Sequence, residues 1–193
     1  MRIALAAVLL SLAAHAPAAE LASPAAFAGI ADANARSAAI FIEASKVMTH
    51  PRCTNCHPVG DRPMQGEGAM SRLHQPPVAR GTDGFGTVAM RCASCHREAN
   101  FDPGQVPGHA HWHLAPVSMA WQGKSPAEIC VQIKDAGRNG NRTIEQVVEH
   151  MSHDSLVGWA WSPGAGRSPA PGTQAQLAAL LDAWVASGAA CPG

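Results

Sequence analysis

The sequence predicts a mainly α protein with extensive coil, and three observations lead there. Helical spacing and capping signals occur near both ends of the chain. Between them, the stretch from His57 to Ser125 is crowded with sixteen glycines and prolines. That density argues against any sheet or long helix in the middle, and loops of such length in a compact domain wrap around something functional. Large apolar side chains are also scarce. The hydrophobic fraction is 47%, but 38 of those residues are alanine, with 4 Phe, 5 Trp and no Tyr. A chain so composed needs something besides protein to fill its interior.

The elements follow in order. Residues 1–19 read as a secretory signal peptide: Arg2 supplies a positive start, Ile3 to Ala14 an apolar run, and Ala16-Pro17-Ala18 a small-x-small cleavage site. The run is shorter than the ~20 residues a span needs. The mature chain is therefore expected to have no membrane span and to be exported to the periplasm, where disulfides persist. Residues 20–193 then form a single domain. Ser23-Pro24 marks the start of a helix over 24–47, with Phe27, Ile30, Ala31, Ala35, Ala38, Phe41 and Ile42 at helical spacing. Residues 50–120 are loops. The part over 125–190 is helical again. Ser125-Pro126-Ala127-Glu128 and Thr143-Ile144-Glu145-Gln146 are capping boxes, opening helices to about Asp135 and about Met151. Thr173-Gln174-Ala175-Gln176 is a third box, and it precedes Leu177, Leu180, Leu181, Trp184 and Val185, with Gly188 as a stop. No alternating strand pattern stands out.

Charge excludes one class of function. Lys and Arg number 14, Asp and Glu 14, and the net charge is zero. No nucleic-acid partner driven by counterion release is expected.

Cysteine spacing carries the chemistry. Cys53-Thr54-Asn55-Cys56-His57 and Cys92-Ala93-Ser94-Cys95-His96 are two C-x-x-C-H motifs, the attachment pattern of c-type haem. Each thiol adds across one vinyl group, and the following histidine, His57 or His96, lies under the iron as proximal ligand. Two covalently attached c-type haems are therefore expected. A zinc site is the first rival, but the gap from Cys56 to Cys92 exceeds the ~15–20 residues usual between such pairs. A thiol oxidoreductase is the second, but no thioredoxin-like βαβ pattern is present. The remaining Cys130 and Cys191 are expected to form a disulfide, with separate buried thiols as the alternative.

A repeat points to the distal ligands. When the stretch beginning at Arg52 is laid over the one beginning at Arg91, seven positions match. Besides the motif residues and the arginines, His74 aligns with His113, Pro77 with Pro116 and Val78 with Val117. Each His-x-x-Pro-Val cluster thus begins at the same interval after its proximal histidine. His74 and His113 are the candidate distal ligands, with His50 and Met119 as alternates. Which haem each one serves is left open by the spacing. His150 and His153 share a helix face and read as surface or satisfied core residues. Several arginines near the motifs suit haem propionates, since Arg pairs carboxylates bidentately. The span between His57 and Cys92 is too short for two tandem single-haem domains. The fold expected is of the multihaem cytochrome c type, with two haems in one loop-wrapped shared core.

The stretches HPRCTNCHPVGDRP, RCASCHREANFDPGQVPG, WHLAPVSMAWQGKS and LVGWAWSPGAGRSPAPGTQ resemble small exported di-haem c-type proteins. That family often carries the label of an isoquinoline 1-oxidoreductase subunit. The similarity spans roughly residues 35–192 and implies a link to a molybdenum hydroxylase that needs an electron acceptor. Nothing resembles a molybdopterin or iron–sulfur subunit, so the chain itself is not expected to hydroxylate isoquinoline. The function expected is electron relay between a dehydrogenase and an acceptor, through transient contact with a redox protein partner and without catalysis. With 3 Lys against 11 Arg, no lysine ring for docking is evident. The alternatives are a peroxidase-like enzyme with one open haem, and a haem subunit of a larger oxidoreductase complex.

Overall fold

The computed structural model describes residues 20–193, so the signal-peptide assignment lies outside the described residues. The architecture is mainly helical with much coil. Six α-helices are present among these residues: α1 (Ala33–Met48), α2 (Pro51–Thr54), α3 (Pro126–Lys134), α4 (Ile144–His153), α5 (Ser155–Gly158) and α6 (Gln174–Ala186). None is long and apolar enough to cross a membrane.

The single helix expected over 24–47 is instead two elements. A 3₁₀ turn spans Pro24–Phe27, and α1 begins only at Ala33. Asp32 sets that start, because its carboxylate accepts the Ala35 N–H at 2.7 Å. Ser23 occupies the N-cap position of the turn but makes no side-chain cap bond. Pro51 lies beyond the end of α1 and opens α2 as its first residue, where a missing N–H costs nothing. The helix that Thr143 opens, α4, runs to His153 rather than Met151. The coil is not wholly free of ladders either. Met64–Gln65 pairs antiparallel with Arg72–Leu73, and Gly86–Thr87 with Met90–Arg91. Ladders this short leave no alternating pattern in the sequence.

The core lies on α6, which packs against both α1 and α4. Leu177, Leu180, Leu181 and Trp184 of α6 are fully buried in one cluster with Phe41, Ala44 and Met48 of α1. The Phe41 and Trp184 rings meet at 4.9 Å, and Ser37 donates to the Trp184 carbonyl at 3.1 Å. Each such large side chain contributes about 1.5–3 kcal/mol by leaving water. Cys130 of α3 and Cys191 beyond α6 form the expected disulfide, tying the C-terminal segment to the helical core. Two of the three expected capping boxes close, Ser125 with Glu128 and Thr143 with Gln146; at the third, Thr173 accepts the Gln176 N–H but the return bond is not made.

The loops over 55–124 join the helical body through Trp121, buried in its core cluster, and Met119, packed against it. Arg80 binds the loops to one another. Its guanidinium is buried and donates to the carbonyls of Pro58, Gly60 and Ala115.

Candidate functional site

Both C-x-x-C-H segments form one helical turn. His57 N–H donates to Cys53 O at 3.0 Å, and His96 N–H to Cys92 O at 2.9 Å. The first turn is the end of α2, capped by the His50 ring, and the second is a 3₁₀ turn over Cys92–Ser94. A turn of this kind puts the first cysteine and the histidine four residues on along one side of the chain.

The first motif opens onto a cavity of about 820 Å³. Cys53, Cys56 and His57 stand on its wall, with His113, His150, Arg52 and Arg80. Its apolar lining includes Val47, Leu114, Trp121, Met151 and Leu177. A hollow of this size with a few convergent polar groups is the form of a cofactor site. Gly84 is on the wall as well, at φ +82°. A Cβ there would lie 2.7 Å from the Leu114 carbonyl oxygen, so glycine permits the loops to approach this closely.

Electrostatics at this wall disfavour charge. Burial pushes the Cys53 thiol up to about 12 and the Cys56 thiol up to about 11. That is opposite to the depressed thiol of a C-x-x-C oxidoreductase. Burial likewise pushes His57 down to about 4, against the opposing Met119 carbonyl, with His150, Arg80 and His113 adding to the fall. His57 is therefore a neutral imidazole. Arg52 and Arg80 are both lowered, chiefly by burial. Arg52 pairs with Glu67 at 2.5 Å, while the Nε atoms of Arg52 and Arg80 find no partner among the described residues.

The histidine tautomers sort the ligand candidates. Nδ1 of His57 faces the Met119 carbonyl at 2.6 Å, and Nδ1 of His96 that of Pro107 at 2.7 Å. Nδ1 of His74 faces the Pro76 carbonyl at 3.0 Å, and Nδ1 of His113 that of His111 at 2.6 Å. A carbonyl only accepts, so each Nδ1 carries the proton and each Nε2 keeps its lone pair, as metal-binding histidines are commonly oriented. His50 is the opposite case. Its Nδ1 accepts the Arg52 N–H at 3.2 Å, which leaves the proton on Nε2. Met119 meets His57 through its main chain, and its side chain packs on the core beside the cavity.

The second motif is more open. Cys92 is half-buried and Cys95 exposed. The His74 ring stands 5.9 Å from that of His96, centre to centre. Exposed Met70, Leu73, Val88, Met90 and Phe101 flank this motif and His74 along the chain.

Two features go beyond the sequence reading. Each C-x-x-C-H histidine lies flat against a tryptophan: His57 on Trp121 at 3.7 Å and 5° between planes, His96 on Trp112 at 4.6 Å and 9°. His150 also reaches the cavity wall, with Nδ1 3.4 Å from the Asp154 carboxylate. The helix-face pattern reads His150 only as a surface or satisfied core residue.

Among the described residues, no three His, Cys, Asp or Glu side chains are grouped as a metal cage requires. The donors come instead as one thiol pair and one histidine per motif, plus His74 and His113. A macrocycle that brings its own four nitrogens needs only such axial donors. No family model, no curated protein and no solved structure matches the chain.

Proposed function

We propose that the protein is an exported di-haem c-type cytochrome that relays electrons between a dehydrogenase and an acceptor. The observation that carries this reading is the shared posture of four histidines: His57, His96, His74 and His113 each direct Nδ1 to a backbone carbonyl and leave Nε2 available. Cys53, Cys56 and His57 would hold one haem, and Cys92, Cys95 and His96 the other. When bound, each haem supplies a one-electron ferric–ferrous couple.

The remaining roles belong to the chain. Half-buried Cys53 and Cys56 face a cavity of the right character for a large apolar ring. Arg52 and Arg80 put positive charge on the same wall, suited to propionate carboxylates. Trp121 and Trp112 fix the planes of the proximal imidazoles. His74 and His113 would each give a haem a second histidine and so leave no open site for peroxide, which favours relay over catalysis. The resemblance to di-haem subunits linked to molybdenum hydroxylases makes such an enzyme the electron donor in this reading.

Low-temperature electron paramagnetic resonance of the oxidised, haem-loaded protein tests the proposal. Two low-spin ferric haems per chain, with no response to added peroxide or nitric oxide, are expected. A substantial high-spin signal in intact protein would mean an open iron and overturn the relay reading.

A further inference from the structure

We infer that the two haem sites are cross-ligated: His74, which follows the first motif, closes the site of the second, and His113, which follows the second motif, closes the site of the first. The inference rests on the di-haem reading above and answers what the sequence repeat leaves open.

For the second site the argument is distance. The ring centres of His74 and His96 are 5.9 Å apart. Two imidazoles that bind one metal from opposite sides, each through a bond of about 2 Å, have ring centres roughly 6 Å apart. Both rings already have Nδ1 engaged, by Pro76 O and Pro107 O, so both present Nε2. The first loop is braced to deliver His74. Its N–H donates to Pro63 O at 2.9 Å, its carbonyl accepts from Arg62 at 2.7 Å, and Gln75 N–H donates to the Gln65 side chain at 2.7 Å.

For the first site the argument is the path of the second loop. His113 stands on the wall of the cavity that holds Cys53, Cys56 and His57. The residues just after it are tied to the first half of the repeat. Leu114 N–H donates to Gly84 O at 2.9 Å, Ala115 N–H donates to Cys56 O at 3.1 Å, and the Ala115 carbonyl accepts from Arg80. The second loop therefore ends bonded to the first motif. Phe85 stacks on the His113 ring at 4.7 Å and fixes its plane. In this arrangement neither site is complete until both loops are folded, so the two haems form one interdependent unit.

The test uses the full exported chain in two single-attachment backgrounds. Cys92→Ala/Cys95→Ala keeps a haem only at the first motif, and Cys53→Ala/Cys56→Ala only at the second. In the first background, His113→Ala is expected to convert the low-spin signal to high-spin, while His74→Ala leaves it unchanged. In the second, the effects exchange. The reverse pattern would overturn the pairing, as would a first haem opened by His150→Ala and untouched by His113→Ala. Should a single-haem chain fail to accumulate, proton Overhauser contacts in the reduced two-haem protein decide the matter. Contacts from the His74 ring to the macrocycle bonded to Cys92 and Cys95 support the pairing. Contacts to the macrocycle bonded to Cys53 and Cys56 contradict it. An exported chain with no bound haem would overturn the di-haem reading and the pairing together, whereas two haems with the opposite contacts would overturn the pairing alone.

Discussion

The imidazole of His57 and the indole of Trp121 lie parallel, 3.7 Å apart and 5° out of plane. Trp121 is buried, and its Nε1 has no hydrogen-bond partner among the described residues. The indole therefore acts here as an apolar plate, while the Met119 carbonyl fixes the edge of the same imidazole. His96 repeats the design with Trp112, which in turn meets Trp159 edge to face at 4.8 Å. Replacing Trp121 by Ala is expected to cost about 3–5 kcal/mol in denaturant unfolding. In haem-loaded protein it should shift the resonance of one haem and leave the other in place. Equal shifts in both would contradict a local role.

The Cys130–Cys191 bridge encloses α4, α5 and α6. Cys130→Ala with Cys191→Ala should lower stability by ~2–4 kcal/mol. Absorption of the haem-loaded protein should not change, because neither cysteine lines the cavity or belongs to a C-x-x-C-H motif. A differential scan with and without reductant checks the first statement on the native chain.

Glu67 links the first loop to the chain before α6, where Ser168 N–H donates to its carboxylate at 3.0 Å. Burial alone would raise its carboxyl, but Ser168, then Arg52 and His50, outweigh burial and hold it below the usual range. A carboxyl lowered by folding contributes stability above its unfolded value and loses it as pH falls through the folded one. Glu67→Gln keeps an oxygen that can accept from Arg52 and Ser168 but removes its charge, so it should destabilise the protein at neutral pH by about 1 kcal/mol as those bonds lose their charge assistance. The variant and the native chain should converge in acid. A gap that persists at low pH would argue that packing, not charge, is what Glu67 supplies.

Gly84 sits at φ +82° with the Leu114 carbonyl against its missing side chain. Gly84→Ala should cost about 1–3 kcal/mol through backbone strain, and should loosen the His113 segment more than the disulfide-linked helices. Hydrogen exchange of the Leu114 N–H, which donates to Gly84 O, reports the difference directly.

Much of the helical half is legible in the sequence because its signals are local. A capping box needs only a few adjacent residues, and two of the three expected boxes close, those at Ser125 and Thr143. The apolar spacing of Leu177, Leu180, Leu181 and Trp184 likewise marks a buried face before any partner is known. The break before α1 is harder, since apolar spacing runs through it and only Asp32 competes as a cap. At the site, the thiol pairs and their histidines are legible because C-x-x-C-H is a fixed local spacing. The Trp121 and Trp112 plates, the cavity position of His150 and the nearness of His74 to His96 are not. Each depends on how distant loops meet, through bonds such as Ala115 N–H to Cys56 O between segments far apart in the chain. No local pattern encodes that meeting.

Two covalent haems, as proposed, would show in the mass of the expressed protein under denaturing conditions. Expressed with haem-attachment machinery, the chain should exceed its polypeptide mass by two haems, with one pair of cysteines oxidised and none of the motif thiols open to alkylation. A mass equal to the polypeptide alone, with Cys53, Cys56, Cys92 and Cys95 all alkylated, would mean that no haem is attached and would overturn the di-haem proposal.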